Sequence, residues 1–330
     1  MNLYPNHMKR LKRVAMVIVC LVTLFLIYVQ LTYKREFNAP VTGIKASGDS
    51  AVIARGAYLV TGQAHCAACH VPDSLTKRGL REPLIGGPTF KTPFGDLYTP
   101  NITPDNETGI GAWSDEQLAQ AIRYSVDHNR NALVGIMSNN ALSDDDLTAV
   151  ISYLRTMKPV RHEVPEHDLN MLGKMLMRFM IEPVQPTVSQ LQPDSTAAYG
   201  QYLAHTVANC NGCHTRRSAS GGFEGDPFAG GNEWVTESGT FRSPNLTPND
   251  TAGRIAKWDY EVFQRRFRAG RILEESPMPW ENFQHISEND LKAIYSYLKT
   301  LKPSNNEVSA VFEPATKGST NLEAVKTSGK

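Results

Sequence analysis

Cys66-Ala67-Ala68-Cys69-His70 and Cys210-Asn211-Gly212-Cys213-His214 repeat one five-residue pattern, C-x-x-C-H, 144 residues apart in a chain of 330. No other feature constrains the fold as much. Two sulfurs separated by one helical turn, with an imidazole next in the chain, form the attachment signature of c-type haem. The thiols become thioethers to the porphyrin and the histidine supplies the proximal ligand to iron. The chain has five cysteines, and four of them belong to these motifs. The fifth, Cys20, lies in an apolar run and reads as a small hydrophobic filler.

The flanks of the motifs repeat at the same spacing. Arg55-Gly56-Ala57-Tyr58-Leu59 falls on Tyr199-Gly200-Gln201-Tyr202-Leu203, and Gly86-Gly87 on Gly230-Gly231. Pro100-Asn101-Ile102-Thr103-Pro104 falls on Pro244-Asn245-Leu246-Thr247-Pro248. Ser143-Asp144-Asp145-Asp146-Leu147 falls on Ser287-Glu288-Asn289-Asp290-Leu291, and Lys158-Pro159 on Lys302-Pro303. The chain is therefore expected to contain two copies of one unit, at 51–159 and 195–303. Each copy reads as helical: a helix enters C-x-x-C-H from a cap at Ser50 or Asp194-Ser195. A Gly/Pro-punctuated loop follows, too broken for a regular sheet. A further helix starts near Trp113 or Trp258, and a last helix opens on an acidic turn and ends before proline. Gly56 and Gly200, on the leading helices, are expected to let the last helix cross closely near Tyr153 and Tyr297.

Charge and hydropathy set the expected location. Residues 1–33 hold Lys9, Arg10, Lys12 and Arg13 and no acid, so a net charge of +1 overall leaves −3 on the remainder. That balance gives no reason to expect a nucleic-acid partner. Val14 to Tyr33 is uncharged and about 20 residues long, enough to cross a hydrocarbon core of about 30 Å. With the basic stub before it, the segment predicts an N-terminus inside and everything after Lys34 exported. The alternative is a cleaved signal peptide, but no A-x-A-like site follows the apolar run.

A six-coordinate iron needs a second axial ligand, on a loop between the tryptophan helix and the last helix. In the second copy this is Met278, held in Ser276-Pro277-Met278-Pro279-Trp280. In the first copy it is Met137, in a stretch without those prolines; the repeat offset slips from 144 to 141 at the methionines. His128, on the extra segment, and an open coordination site are the alternatives there. Met171, Met175, Met177 and Met180, interleaved with Leu172, Leu176 and Phe179, read as an amphipathic segment packed on a domain or on the membrane surface.

The combination of Arg55-Gly-Ala-Tyr-Leu, the two C-x-x-C-H motifs, Gly95-Asp-Leu-Tyr-Thr-Pro-Asn-Ile-Thr-Pro-Asp, Met278-Pro279-Trp280 and Leu291-Lys-Ala-Ile-Tyr-Ser-Tyr-Leu298 resembles a known family. Residues 51–303 resemble the c-type cytochrome subunits of membrane-bound bacterial dehydrogenases for alcohols, aldehydes and sugar acids such as gluconate. The resemblance implies class I cytochrome c domains that take electrons from a partner dehydrogenase and pass them to quinone or a terminal oxidase. Those subunits typically bear three haems and enter through a cleaved signal. This chain has two haem motifs and an expected anchor.

The expected architecture is all-α. A cytoplasmic stub (1–13), a transmembrane helix (14–33) and a linker (34–50) precede cytochrome c domain 1 (51–159). A linker (160–194), cytochrome c domain 2 (195–303) and a flexible tail (304–330) complete it. The expected cofactors are two haem c, attached through Cys66, Cys69, Cys210 and Cys213, with His70, Met137, His214 and Met278 as axial ligands. The expected function is electron transfer in the periplasm, at the cytoplasmic membrane, from a dehydrogenase or quinol donor to an acceptor such as a terminal oxidase. No catalytic residue is assigned, because an electron-transfer subunit is expected rather than an enzyme in its own right. A dihaem peroxidase, with an open first iron, is the runner-up.

Overall fold

The computed structural model describes residues 4–134, 137–218 and 221–315. Helix α1 (Tyr4–Thr32) contains the stretch Met8–Thr32, which is long and apolar enough to cross a membrane. Its side chains, Leu21 and Leu24 among them, are largely exposed.

The first half begins with α2 (Ser50–Tyr58), capped one residue before the expected Ser50: the Asp49 carboxylate accepts the Ala51 N–H. The helix runs into a π-helical turn, Leu59–Gln63, closed by the Ala64 N–H on the Leu59 carbonyl. His65 then takes a left-handed conformation (φ 43°), which redirects the chain into α3 (Cys66–His70). The short α4 (Asp73–Thr76) and a hairpin of β1 (Thr89–Thr92) and β2 (Gly95–Tyr98) follow. Helix α5 (Asp115–Tyr124) starts at Trp113-Ser114 with a complete capping box, Ser114 and Gln117 each satisfying the other's backbone N–H. Helix α6 (Asp144–Thr156) is capped by Ser143 and carries three acids in its first turn. Strand β3 (Asp168–Leu169) then returns to pair with β2.

After α7 (Met171–Phe179) the order recurs without a counterpart of α4 and with one added short helix before the last. Helix α8 (Ala197–Tyr202) is capped by Thr196 rather than by Asp194 or Ser195, and leads into a π-helical turn at Leu203–Val207. Left-handed Asn209 (φ 47°) precedes α9 (Cys210–His214). Strands β4 (Glu233–Val235) and β5 (Gly239–Arg242), helices α10 (Tyr260–Arg268), α11 (Trp280–Phe283) and α12 (Glu288–Leu298), and strand β6 (Phe312–Pro314) complete the chain as described. β6 pairs with β5 as β3 does with β2.

One expectation is corrected by these elements, and two segments expected outside the repeats carry structure. The fold is not all-α, because each half carries a three-stranded antiparallel sheet. Its strands are two to four residues long, and the third comes from a segment expected to be linker or tail, so no periodicity marks it. Gly95 and Gly239 sit where a Cβ would lie 2.1 and 2.2 Å from the Asp168 and Glu313 carbonyl oxygens, so only glycine lets the third strand close. The 160–194 linker contains β3 and α7. The tail expected from residue 304 is structured to residue 315, with Ser304 buried, while 316–330 lie outside the described residues.

The close crossings expected at the two glycines are present. A Cβ on Gly56 would lie 1.9 Å from the Ala149 carbonyl oxygen and 2.7 Å from Tyr153 Cβ. One on Gly200 would lie 1.9 Å from the Ala293 oxygen and 2.9 Å from Tyr297 Cβ. Helix α2 thus packs on α6, and α8 on α12, around Leu59, Leu147 and Ile151 in one half and Leu203, Leu291 and Ile294 in the other. All of these side chains belong to one continuous apolar core, which joins the two halves.

Candidate functional site

Each C-x-x-C-H lies on a single helical turn held at its histidine end. At the C-terminal end, the Gly86 N–H donates to the His70 carbonyl (3.0 Å) and the Gly230 N–H to the His214 carbonyl (2.7 Å). A Cβ on Gly87 would stand 1.8 Å from the Cys69 carbonyl oxygen, so this glycine lets the loop lie against the first motif. Nδ1 of His70 is 2.8 Å from the Pro100 carbonyl oxygen, and Nδ1 of His214 is 3.0 Å from that of Pro244. A carbonyl only accepts, so Nδ1 of each ring carries the proton and Nε2 keeps its lone pair. This is the tautomer and the fixed orientation that a metal-ligating histidine needs.

The Pro-Asn-x-Thr-Pro segment that supplies this carbonyl is itself pinned. Asn101 is buried; its side-chain oxygen accepts the Thr103 N–H and hydroxyl, and its amide donates to the Val160 carbonyl (2.9 Å). Asn245 does the same with Thr247 and the Ser304 carbonyl. Sequence reasoning aligned this segment between the copies without finding its purpose, because the functional atom is a backbone oxygen.

Burial holds both motif imidazoles below the usual histidine value, against the opposing pull of the proline carbonyls, so they stay neutral and able to coordinate. Burial also pushes the Cys66 and Cys210 thiols up to about 12. Redox and metal-thiolate cysteines need the opposite shift. A setting that disfavours thiolate but suits an uncharged sulfur fits a thioether. The donor set therefore suits covalent haem: two uncharged sulfurs and a neutral, oriented imidazole in each half.

The methionines are placed unequally. Met278 is half-buried and packs on the common core, as do Cys66, Cys210, Trp113 and Trp258. Its loop is gripped by Arg271, which ion-pairs with Glu281 (2.6 Å to Oε2) and donates to the carbonyls of Met278 (3.2 Å) and Ser276. Sequence reasoning missed Arg271. Met137 is 37% exposed, and the neighbouring Gly135 and Ile136 lie outside the described residues. His128, the competing ligand in this half, is exposed and lies against Trp113, with ring centroids 4.3 Å apart and planes tilted by 35°.

The two halves meet through reciprocal contacts. The Tyr58 hydroxyl donates to Asp290 (2.7 Å) and accepts the Ser287 N–H at the start of α12. The Tyr202 hydroxyl donates to Asp146 (2.7 Å) and accepts the Ser143 N–H at the start of α6. Asn139 donates to the Val207 carbonyl just before the second motif, and Asn282 to the Thr61 carbonyl just before the first. Arg55 lies where the two sets converge. It is bidentate to Asp146 (2.8 and 3.2 Å), 3.7 Å from Asp290, and bonded to the Tyr199 hydroxyl. Burial alone would lower its pKa, but the hydrogen bond and the charges of the two aspartates raise it.

Comparison with known proteins places these features. The cytochrome c family model matches residues 53–158. The chain is 29% identical over 281 residues to the cytochrome c subunit of gluconate 2-dehydrogenase from Pantoea cypripedii, covering 77% of this chain and 60% of that one. It is 29% identical over 272 residues to the cytochrome c subunit of a quinone alcohol dehydrogenase from Gluconobacter oxydans, covering 77% and 55%. A dihaem c-type cytochrome of Cereibacter sphaeroides is 27% identical over 281 residues, covering 80% and 88%. The chain thus spans little more than half the length of the dehydrogenase subunits it matches. These relatives give no support to the peroxidase alternative. Residues 53–158 are a cytochrome c domain, and the chain is a homologue of the cytochrome c subunits of gluconate, alcohol and fructose dehydrogenases and of a dihaem c-type cytochrome.

Proposed function

We propose that this chain is a membrane-anchored, periplasmic dihaem electron-transfer protein, built from two tandem cytochrome c domains at 51–159 and 195–303. Cys66 and Cys69 attach one haem c, and Cys210 and Cys213 the other. His70 and Met137 are the axial ligands of the first iron, and His214 and Met278 those of the second. The observation that carries this reading is the duplicated hydrogen bond from the motif histidine to a proline carbonyl, His70 to Pro100 and His214 to Pro244. It presents Nε2 of a neutral imidazole in both halves, so a second site is supported by geometry as well as by spacing.

Haem supplies a one-electron couple, and the protein tunes it through axial ligand, burial and hydrogen bonding. Here the two proline carbonyls orient the imidazoles, and Arg271 holds the Met278 loop. The shared core and the Tyr58 and Tyr202 contacts fix one half against the other, so two centres would keep a constant separation. The donor is proposed to be a dehydrogenase or quinol, as the names of the relatives suggest, and the acceptor a downstream component such as a terminal oxidase. Helix α1 is proposed to stay attached as a single-pass anchor with its N-terminus in the cytoplasm. Its end is engaged by the folded body: Lys174 donates to Gln30 (3.0 Å) and Arg178 to Thr32 (3.2 Å).

Single-site variants test the ligands. Met278→Ala is expected to abolish the methionine-to-iron charge-transfer band of one haem and to leave the other intact, and Met137→Ala the converse. An unchanged spectrum in either variant would remove that methionine from the ligand set. N-terminal sequencing of the purified protein tests the anchor, which is lost if the chain begins after residue 33.

A further inference from the structure

Helix α7 is the one long helix between the two halves, and it does not pack as a core helix. Its N-terminus sits on the β1–β2 turn: the Asn170 amide donates to the Pro93 carbonyl, and Gly173 lies where a Cβ would be 2.3 Å from the Phe94 carbonyl oxygen. From there it runs against α1. Phe179 stacks on Phe25, with ring centroids 6.0 Å apart and planes 8° from parallel. Leu172, Met175, Leu176 and Phe179 share one face by helical spacing. Leu172 is 48% exposed, Phe179 51%, and Met180 just beyond the helix 69%.

Phe25 is seven residues below Thr32, the end of the apolar helix, which is about 10 Å of helix rise. That matches the depth of about 5–10 Å at which amphipathic helices lie in a bilayer interface. The charges sit one level higher. Lys174 and Arg178 bond only to neutral groups, the Gln30, Thr32 and Tyr28 oxygens, and lie over aromatic rings. Among the described residues neither has an acidic partner, whereas the neighbouring Lys34 and Arg35 are paired with Glu166 and Glu182. The arrangement is two cations without an acidic partner among the described residues, at the end of a membrane-length helix and above an exposed apolar face.

We propose that α7 is an interfacial helix: Leu172, Phe179 and Met180 enter the acyl boundary of the outer leaflet, and Lys174 and Arg178 meet anionic phospholipid headgroups. A single α1 would leave the haem-bearing body free to swivel. Two points of attachment hold it in one orientation to the bilayer, which decides which surface a membrane-bound partner meets. This inference rests on the reading of α1 as a retained anchor.

The test uses the full chain, with Cys20→Ser, in phosphatidylcholine–phosphatidylglycerol vesicles. Spin labels are placed by Leu172→Cys, Phe179→Cys and Val235→Cys, and in α1 by Val22→Cys. Power saturation compares access to oxygen, which concentrates in lipid, with access to a water-soluble nickel chelate. The ratio at 172 and 179 is expected to be several-fold above that at 235 and to approach that at 22. Labels at 172 and 179 as water-accessible as the one at 235 would overturn the proposal, while a lipid-exposed label at 22 would leave the anchor standing. A label at 22 that is not lipid-exposed would instead remove the anchor. The Leu172 label reads depth without disturbing the Phe25–Phe179 stack.

Discussion

Gly56 and Gly200 show how far a single residue can be read and what it controls. Their place on the leading helices, one turn into each copy, marks them as crossing points, and a backbone oxygen stands 1.9 Å from each missing Cβ. Backbone cannot rotate away as a side chain can, so Gly56→Val is expected to cost about 3 kcal/mol, the upper end of overpacking penalties. Denaturant unfolding of the holoprotein measures this, and an unchanged midpoint would mean the two helices can separate without loss. Pro100 and Pro244 are the opposite case. Both stand out as repeated letters, but their function is carried by a carbonyl oxygen that every residue possesses. Only the fold brings it to a histidine 30 positions away. The asparagines beside them are testable in its place. Asn245→Ala removes two hydrogen bonds accepted from Thr247 and two donated, to the Ser304 and Asn306 carbonyls. A loss of about 1–3 kcal/mol is expected for leaving such partners unsatisfied. Because the segment also carries the Pro244 carbonyl, the potential of one haem should shift with it, and a stability change without a shift would separate the two roles.

Among the elements, helices that announce themselves by caps and apolar spacing are where the sequence places them, with starts displaced by one residue at Asp49 and Thr196. The sheets were illegible because β3 and β6 hold two and three residues and pair with strands about 70 positions earlier. The methionine loops lie between these extremes. Prolines flagged the Met278 loop, but its clamp, Arg271, carries no motif and works through backbone acceptors that sequence does not display. Arg271→Ala is expected to weaken the Met278 charge-transfer band and lower the potential of that haem alone, with Arg271→Lys restoring part of it. Equal changes in both haems, or none, would show that the loop does not need the clamp. In the first half Arg130 occupies the place set by the offset of the methionines, but it bonds Glu36 and Asn38 in the segment before α2 instead. The two halves therefore hold their methionine segments by different means.

At the scale of the molecule, the halves form a reciprocal pair, each tyrosine reaching the start of the other's last helix, as in an isologous interface. Repeat spacing predicts two copies but says nothing of how they dock, since Tyr58 and Tyr202 read equally well as core residues of their own halves. Arg55 breaks the symmetry: its counterpart is Tyr199, so one guanidinium faces two buried aspartates. Arg55→Met removes the cation that both aspartates face, and a destabilisation of about 3–5 kcal/mol is expected. Adding Asp146→Asn and Asp290→Asn should recover most of it, and failure to recover would place the cost in lost packing of the arginine stem. On the function proposed above, this docked pair carries two low-spin haems, each with histidine and methionine ligands. A redox titration of the purified chain, followed together by optical and electron paramagnetic resonance spectra, counts the haems and identifies both ligand sets. Two haems per chain, both low-spin and both with the methionine-to-iron band, are the expected result; a single haem, or a high-spin centre in either half, would contradict it.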